Sequence, residues 1–217
     1  MSVQLSVAAR DSINEAIEIA ANGQAVVGGT GSGGSITGTA AQPRLILATG
    51  TKPANCAAAT SGTTLVNMLL PADWTSASSA GVKALLGTWQ ASASAAGVAT
   101  YYRIMNNANT VCHEQGDVFQ SVPLTTNALT AANGNVLNFA ATTGVAVGMN
   151  ASGTGVPAGA TVVAVGGTTV TLSMTSTAGV ANAASITFNG DITLDNTNIA
   201  NGQQVTITAK TITAPNA

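Results

Sequence analysis

The stretch Ala160-Thr161-Val162-Val163-Ala164-Val165-Gly166-Gly167-Thr168-Thr169-Val170-Thr171-Leu172-Ser173 reads as two strands folded about a turn. Val and Thr branch at Cβ and favour extended backbone. Gly166-Gly167 supplies the backbone freedom that a tight hairpin needs. Outward from this point, Val136–Ala140, Val145–Asn150 and Ser185–Phe188 read as further short strands, with Asn-Gly pairs at 133–134 and 189–190. No charged side chain lies between Asp117 and Asp191. Residues 124–189 are therefore read as a small β module inserted into a host domain formed by 1–123 and 190–217. The alternative is one continuous β domain.

The host segments carry their own strand signals at Arg44–Thr49, Thr63–Leu70, Val82–Trp89, Ala99–Met105, Val111–Phe119, Asp191–Leu194 and Gln204–Thr213. In the last of these, Val205, Ile207 and Ala209 alternate with polar residues, as a half-buried strand requires. Residues 3–21 read as the one helix. Ile13, Ala16, Ile17 and Ala20 share a face, and Asp11, Asn14, Glu15 and Glu18 fall largely on the other. Asn22-Gly23 supplies a left-handed stop. The Gly/Ser/Thr stretch 28–42 reads as a flexible loop. The expected fold is mainly β: a β-sandwich or partial barrel with one N-terminal helix and the inserted module.

Composition narrows the function. Only 6 % of the 217 residues are charged, against about 25 % in ordinary soluble proteins. The six Lys/Arg are scattered from Arg10 to Lys210, so no cluster is expected to neutralise phosphates and no nucleic acid is expected as partner. No apolar run reaches the roughly 18–20 residues of a membrane helix. No basic segment followed by an apolar stretch opens the chain, so folding in a cytoplasm is expected. Aromatics are 3 %, too few to line an ordinary small-molecule pocket. A net charge of −2 lets copies repel one another only weakly, which suits a subunit packed at high density.

Each candidate for chemistry meets a plainer reading. Gly29-Thr30-Gly31-Ser32-Gly33-Gly34 has dinucleotide-loop spacing, but Gly38 and Pro43 argue against a following helix, and no acid lies between Glu18 and Asp73. A loop is expected there, and no cofactor. Cys112-His113-Glu114 is the only place where metal-competent side chains adjoin. On a regular strand Cys112 and Glu114 face one way and His113 the other. With Cys56 the chain holds two Cys and one His, short of a four-ligand zinc site, so no metal is expected. Cys56 and Cys112 form either two free thiols or, in an oxidising compartment, a disulfide. Without an export signal, free thiols are expected. Paired-carboxylate chemistry has only Asp73, Glu114, Asp117, Asp191 and Asp195 to draw on, and strand-end acids are mostly turn-formers. No serine sits in a nucleophile elbow. No catalytic residue is assigned, and an enzyme is not expected. Trp74 and Trp89 are expected to anchor the host core, the alternative being a platform for stacking sugar.

Several pieces of the chain resemble a family of small virion proteins of tailed bacteriophages. They are Ser2-Val3-Gln4-Leu5-Ser6-Val7-Ala8-Ala9-Arg10, Thr49-Gly50-Thr51-Lys52-Pro53-Ala54, Leu70-Pro71-Ala72-Asp73-Trp74, Gly87-Thr88-Trp89 and Tyr102-Arg103-Ile104, followed by Cys112-His113-Glu114-Gln115-Gly116, Asp191-Ile192-Thr193-Leu194-Asp195-Asn196 and Thr213-Ala214-Pro215-Asn216. Separately, Thr143-Gly144-Val145-Ala146-Val147-Gly148-Met149 and Ser152-Gly153-Thr154-Gly155-Val156-Pro157-Ala158-Gly159 resemble a β module of phage coat and tail proteins. The resemblance implies a structural subunit of the virion, assembled in the bacterial cytoplasm. Its implied role is capsid decoration or cement, as a homo-oligomer on the major capsid protein, with neither membrane nor small-molecule substrate. A tail, collar or fibre component, with the insert as a host-recognition tip that binds carbohydrate, is the alternative. No catalytic residue transfers from the family.

Overall fold

The computed structural model describes residues 6–27, 35–37, 41–79 and 82–213. The helix α1 (Val7–Ala21) leads into β1 (Ala25–Val27), which pairs with β2 (Ser35–Thr37). Then come β3 (Arg44–Ala48), β4 (Thr64–Leu69), β5 (Val82–Ala84), β6 (Trp89–Ser92), β7 (Gly97–Val98), β8 (Tyr101–Met105) and β9 (Cys112–Phe119). Six strands follow: β10 (Val122–Thr125), β11 (Val136–Asn138), β12 (Asn150–Gly153), β13 (Val162–Val165), β14 (Thr169–Leu172) and β15 (Ser185–Asn189). The chain closes with β16 (Ile192–Leu194), β17 (Asn198–Ile199) and β18 (Gln204–Thr213). Among the described residues the fold is mainly β with one helix, as the sequence predicts, and its large sheet curls as a half-barrel.

The chain divides into two compact units, Met1–Val118 with Leu194–Ala217, and Phe119–Thr193. The sequence reading placed the insert at 124–189. The observed unit reaches further at both ends; at its start, β10 belongs to it as a partner of β15.

The large sheet runs β4-β3-β8-β9-β16-β18-β5, with β6 also on β18. Its two longest strands are β18 and β9, of 10 and 8 residues. β18 pairs with β6 through Gln204–Ile207 and with β5 through Thr211–Thr213. This change of partner shifts its buried positions. Val205 and Ile207 are buried as predicted, but then Lys210 and Ile212 turn inward while Ala209 and Thr211 are exposed. The predicted strand Val82–Trp89 is really two, β5 and the start of β6, separated at Gly87, whose φ is +74°. Trp74 and Trp89 are fully buried with ring centroids 5.7 Å apart. Trp89 Nε1 donates to Leu86 O at 3.0 Å.

The helix corrects the sequence reading. Ser6 caps it, its side chain accepting from Ala9 N at 3.2 Å. Asn22-Gly23 ends it as predicted, with Gly23 at φ +70°. Residues 3–5, predicted helical, lie outside the described residues. The face turned inward is the polar one. Asn14 is fully buried, while Ile13 is 40 % exposed and Ala16 is exposed. In the stretch 28–42 read as a loop, Ser35–Thr37 is a strand. The Gly29–Gly34 motif lies outside the described residues.

The Phe119–Thr193 unit contains two three-stranded sheets, β10-β15-β12 and β11-β14-β13. Their shared core includes Leu137, Phe139, Val162, Val170, Ile186 and Phe188. Phe139 meets Phe188 edge-on at 5.7 Å. The hairpin at Gly166-Gly167 forms where predicted, Gly166 N donating to Thr169 O at 2.7 Å. The predicted strand Val145–Asn150 does not form. Gly148 sits at φ +93°, Val147 is 60 % exposed, and strand pairing begins only at Asn150.

Two cores imply two unfolding events. In calorimetry, Phe188→Ala should lower one transition and Trp89→Ala the other, each removing about 3–5 kcal/mol. A single transition shifted alike by both variants would contradict this division.

Candidate functional site

Three of the six cationic side chains, Lys83, Arg103 and Lys210, are at most 3 % exposed. Lysine and arginine are seldom buried unless paired. Lys83, on β5, meets Glu15 Oε2 at 2.6 Å and also Glu18 Oε2, both from α1. The surrounding polar groups complete the contact. Thr75 Oγ1 donates to Glu18 Oε2 at 2.8 Å, Ser78 N to Glu15 Oε1 at 2.7 Å, and Ser78 Oγ to Asp11 Oδ1 at 2.7 Å. This arrangement explains the inverted helix, because a buried ammonium needs its carboxylates beside it.

Lys210, on β18, bonds to Glu114 Oε1 and to Tyr102 OH, the latter at 2.9 Å. Tyr102 OH donates to the same carboxylate oxygen at 2.6 Å, and the ammonium lies 4.9 Å from the Tyr102 ring centroid. This triad joins β18, β9 and β8 on one face of the sheet.

Arg103, between Tyr102 and Ile104 on β8, works on the other face. Its Nη1 donates to Thr60 Oγ1 at 2.9 Å and its Nη2 to Cys56 O at 2.7 Å. Both acceptors sit in the irregular loop 49–63. Gln115 Nε2 donates to Pro53 O at 2.7 Å, Ser61 N to Tyr101 OH at 2.9 Å, and Lys52 pairs with Asp117 at 2.5 Å. Gly62 closes the loop at φ +66°, where a Cβ would lie 2.0 Å from Thr49 O. The loop has little regular structure but many anchors.

The Cys112-His113-Glu114 segment departs from the regular-strand expectation. Glu114 lies opposite Ile104, but Cys112 lies opposite Met105, so the register shifts within the segment. A β-bulge of this kind adds one residue to a strand and breaks its alternation. Glu114 therefore joins Lys210, while Cys112 packs with Met105 and Tyr101. Cys112 also meets Cys56, their Sγ atoms 2.8 Å apart. Burial first, and then the hydrogen bond with Cys112, push the Cys56 thiol up to about 12. Both cysteines are partly exposed and border an open depression of about 460 Å³ with Ala57, Thr110 and Val111.

The remaining sequence candidates separate. Asp195 Oδ1 accepts from Asn196 N at 2.9 Å, making the predicted turn. Asp191 accepts from Asn150 Nδ2 at 3.3 Å. Asp73 borders a second open depression with Glu15 and Glu18. Among the described residues no group of three His, Cys, Asp or Glu is placed to hold a metal. Trp74 and Trp89 present no surface for stacking a sugar, which removes that alternative for them. The sequence reading missed the three buried cations. Their signal was weak: single charges inside strands that otherwise read as apolar.

With three of the six cations drawn inward, the surface is sparsely charged: Asp73, Asp191 and Asp195 are exposed among Ala, Thr, Ser, Asn and scattered apolar side chains. Val98 and Val111 are about half exposed in the larger unit, and Leu129 and Val147 are 68 % and 60 % exposed in the smaller. This sparsely charged surface, rather than a pocket, is the candidate functional feature.

Two outcomes follow for the charged groups. Lys210→Ala leaves the largely enclosed Glu114 without its cation and should cost about 2–4 kcal/mol in urea unfolding. Lys210→Met combined with Glu114→Leu should recover most of that loss. His113 is partly buried, and burial lowers its pKa from the ordinary 6.5. The unfolded chain therefore takes up a proton first as pH falls through 6.5, and stability drops on acidification. His113→Gln should flatten that part of the urea-midpoint profile; an unchanged slope would assign it elsewhere.

No protein-family model, no curated protein and no solved structure matches this chain.

Proposed function

We propose that this chain is a structural protein of a tailed bacteriophage particle, a decoration or cement subunit seated on the major capsid lattice. The observation that carries this reading is the inward placement of charge: Lys83, Arg103 and Lys210 are all buried. A surface with so little charge has weak long-range repulsion, so copies can crowd together and against a partner. It also has little with which to neutralise phosphates. A protein of this kind acts by burying apolar and hydrogen-bonding surface between neighbours, which favours the folded shell by mass action. The resemblance of the host segments to small virion proteins points the same way.

The second reading is a tail, collar or fibre component. The compact unit Phe119–Thr193, which has no charged residue between Asp117 and Asp191, favours it as a distinct module that could take the host-recognition role.

Quantifying the chain in purified particles of the phage that encodes it tests both. Hundreds of copies fit the shell, and a few dozen or fewer fit the tail. Particles depleted of a shell subunit should lose resistance to heat. A chain absent from the particle ends both readings.

A further inference from the structure

We propose that Cys56 and Cys112 are a disulfide-forming pair, a covalent latch between the loop 49–63 and β9. The sulfurs lie 2.8 Å apart, closer than two unbonded sulfurs ordinarily pack. Bond formation requires a movement of less than about 1 Å, to roughly 2.05 Å. The proximity is built from independent contacts. Arg103 holds the carbonyl of Cys56 itself at 2.7 Å, Gln115 holds Pro53, and Tyr101 holds Ser61. On the other side, the register shift in β9 turns Cys112 toward the loop. Both residues are partly exposed, so a soluble oxidant can reach them.

The step is a two-electron oxidation. A low-molecular-weight disulfide, such as oxidised glutathione, forms a mixed disulfide with one cysteine and releases one thiol. The second cysteine displaces the other thiol and closes the Sγ–Sγ bond. Two thiol protons leave the protein, and the oxidant is reduced to two thiols. Thiolate is the attacking form, and burial raises the Cys56 pKa, so closure is slow near neutrality and is read at equilibrium. Such a pair stays open in a reducing cytoplasm and closes once the protein reaches an oxidising medium. The inference does not depend on which partner the chain binds.

The test uses the full chain, purified reduced and equilibrated with oxidised glutathione. It is then denatured, treated with N-ethylmaleimide and analysed by intact mass and non-reducing peptide mapping. The expected result is a monomer without maleimide adducts and with a Cys56–Cys112 linked peptide. The bond closes a loop of more than 50 residues, so the melting temperature should rise by on the order of 10 °C and return with dithiothreitol. Cys112→Ser should abolish the rise. Two alkylated thiols at equilibrium, stable glutathione adducts, or a bond between two chains would each overturn the latch. The mapping needs only the unaltered protein, so a variant that fails to fold leaves the test intact.

Discussion

An ammonium group enclosed by protein must have negative partners within reach, and Lys83 imposes that condition on the first unit. Its side chain has no exposed surface. The carboxylates that meet it are Glu15 and Glu18, one helical turn apart on α1. The helix therefore turns its polar face inward and leaves Ile13 at the surface. Hydrophobic periodicity favours the opposite rotation. The preference lost is modest, because the competing face is built mostly from Ala and a few Ile. The penalty for a buried, unpaired ammonium is several kcal/mol. The larger effect sets the orientation.

Lys210 repeats the logic inside the sheet. It requires β18 to change register after Ile207 so that residue 210, rather than 209, faces Glu114. Arg103 applies it on the opposite face, where its guanidinium takes carbonyl and hydroxyl acceptors from a loop without ladder hydrogen bonds. In a chain with so few charges, these placements decide the surface as much as the interior. Lys83 draws Glu18 inward and Lys210 draws Glu114, so fewer charges of either sign stand at the surface while the net charge is unchanged.

Much of the architecture was legible because period-two patterns are local. β18 forms over the predicted span Gln204–Thr213, and the turn at Gly166-Gly167 links β13 and β14. Val145–Asn150 misled because β-branched residues there look like a strand, while Gly144 and Gly148 take positive φ and bend the chain. The face of α1, the bulge in β9 and the register change in β18 were not legible. Each is fixed by a residue distant in sequence: Lys83 for Glu15 and Glu18, Met105 for Cys112, Glu114 for Lys210. For the same reason the meeting of Cys56 and Cys112 could not be read from spacing. It depends on Arg103, an apparently ordinary strand residue.

The smaller unit shows how a fold proceeds with a single charged side chain, the exposed Asp191. Its buried polar groups are hydroxyls, each matched to a backbone carbonyl that no strand partner takes. Thr126 Oγ1 donates to Ala181 O at 2.8 Å, and Thr130 Oγ1 to Val136 O at 2.8 Å. Thr142 and Ser176 serve Gly166 O and Gly155 O in the same way. Buried carbonyls must be satisfied whatever the composition. A hydroxyl does this with little desolvation penalty, whereas a charged donor would bring a larger one. The unit can therefore turn its long irregular connections into packed structure and still present an exterior with little charge. A surface made this way contributes contact area and hydrogen bonds to a partner, and its attraction is largely independent of ionic strength.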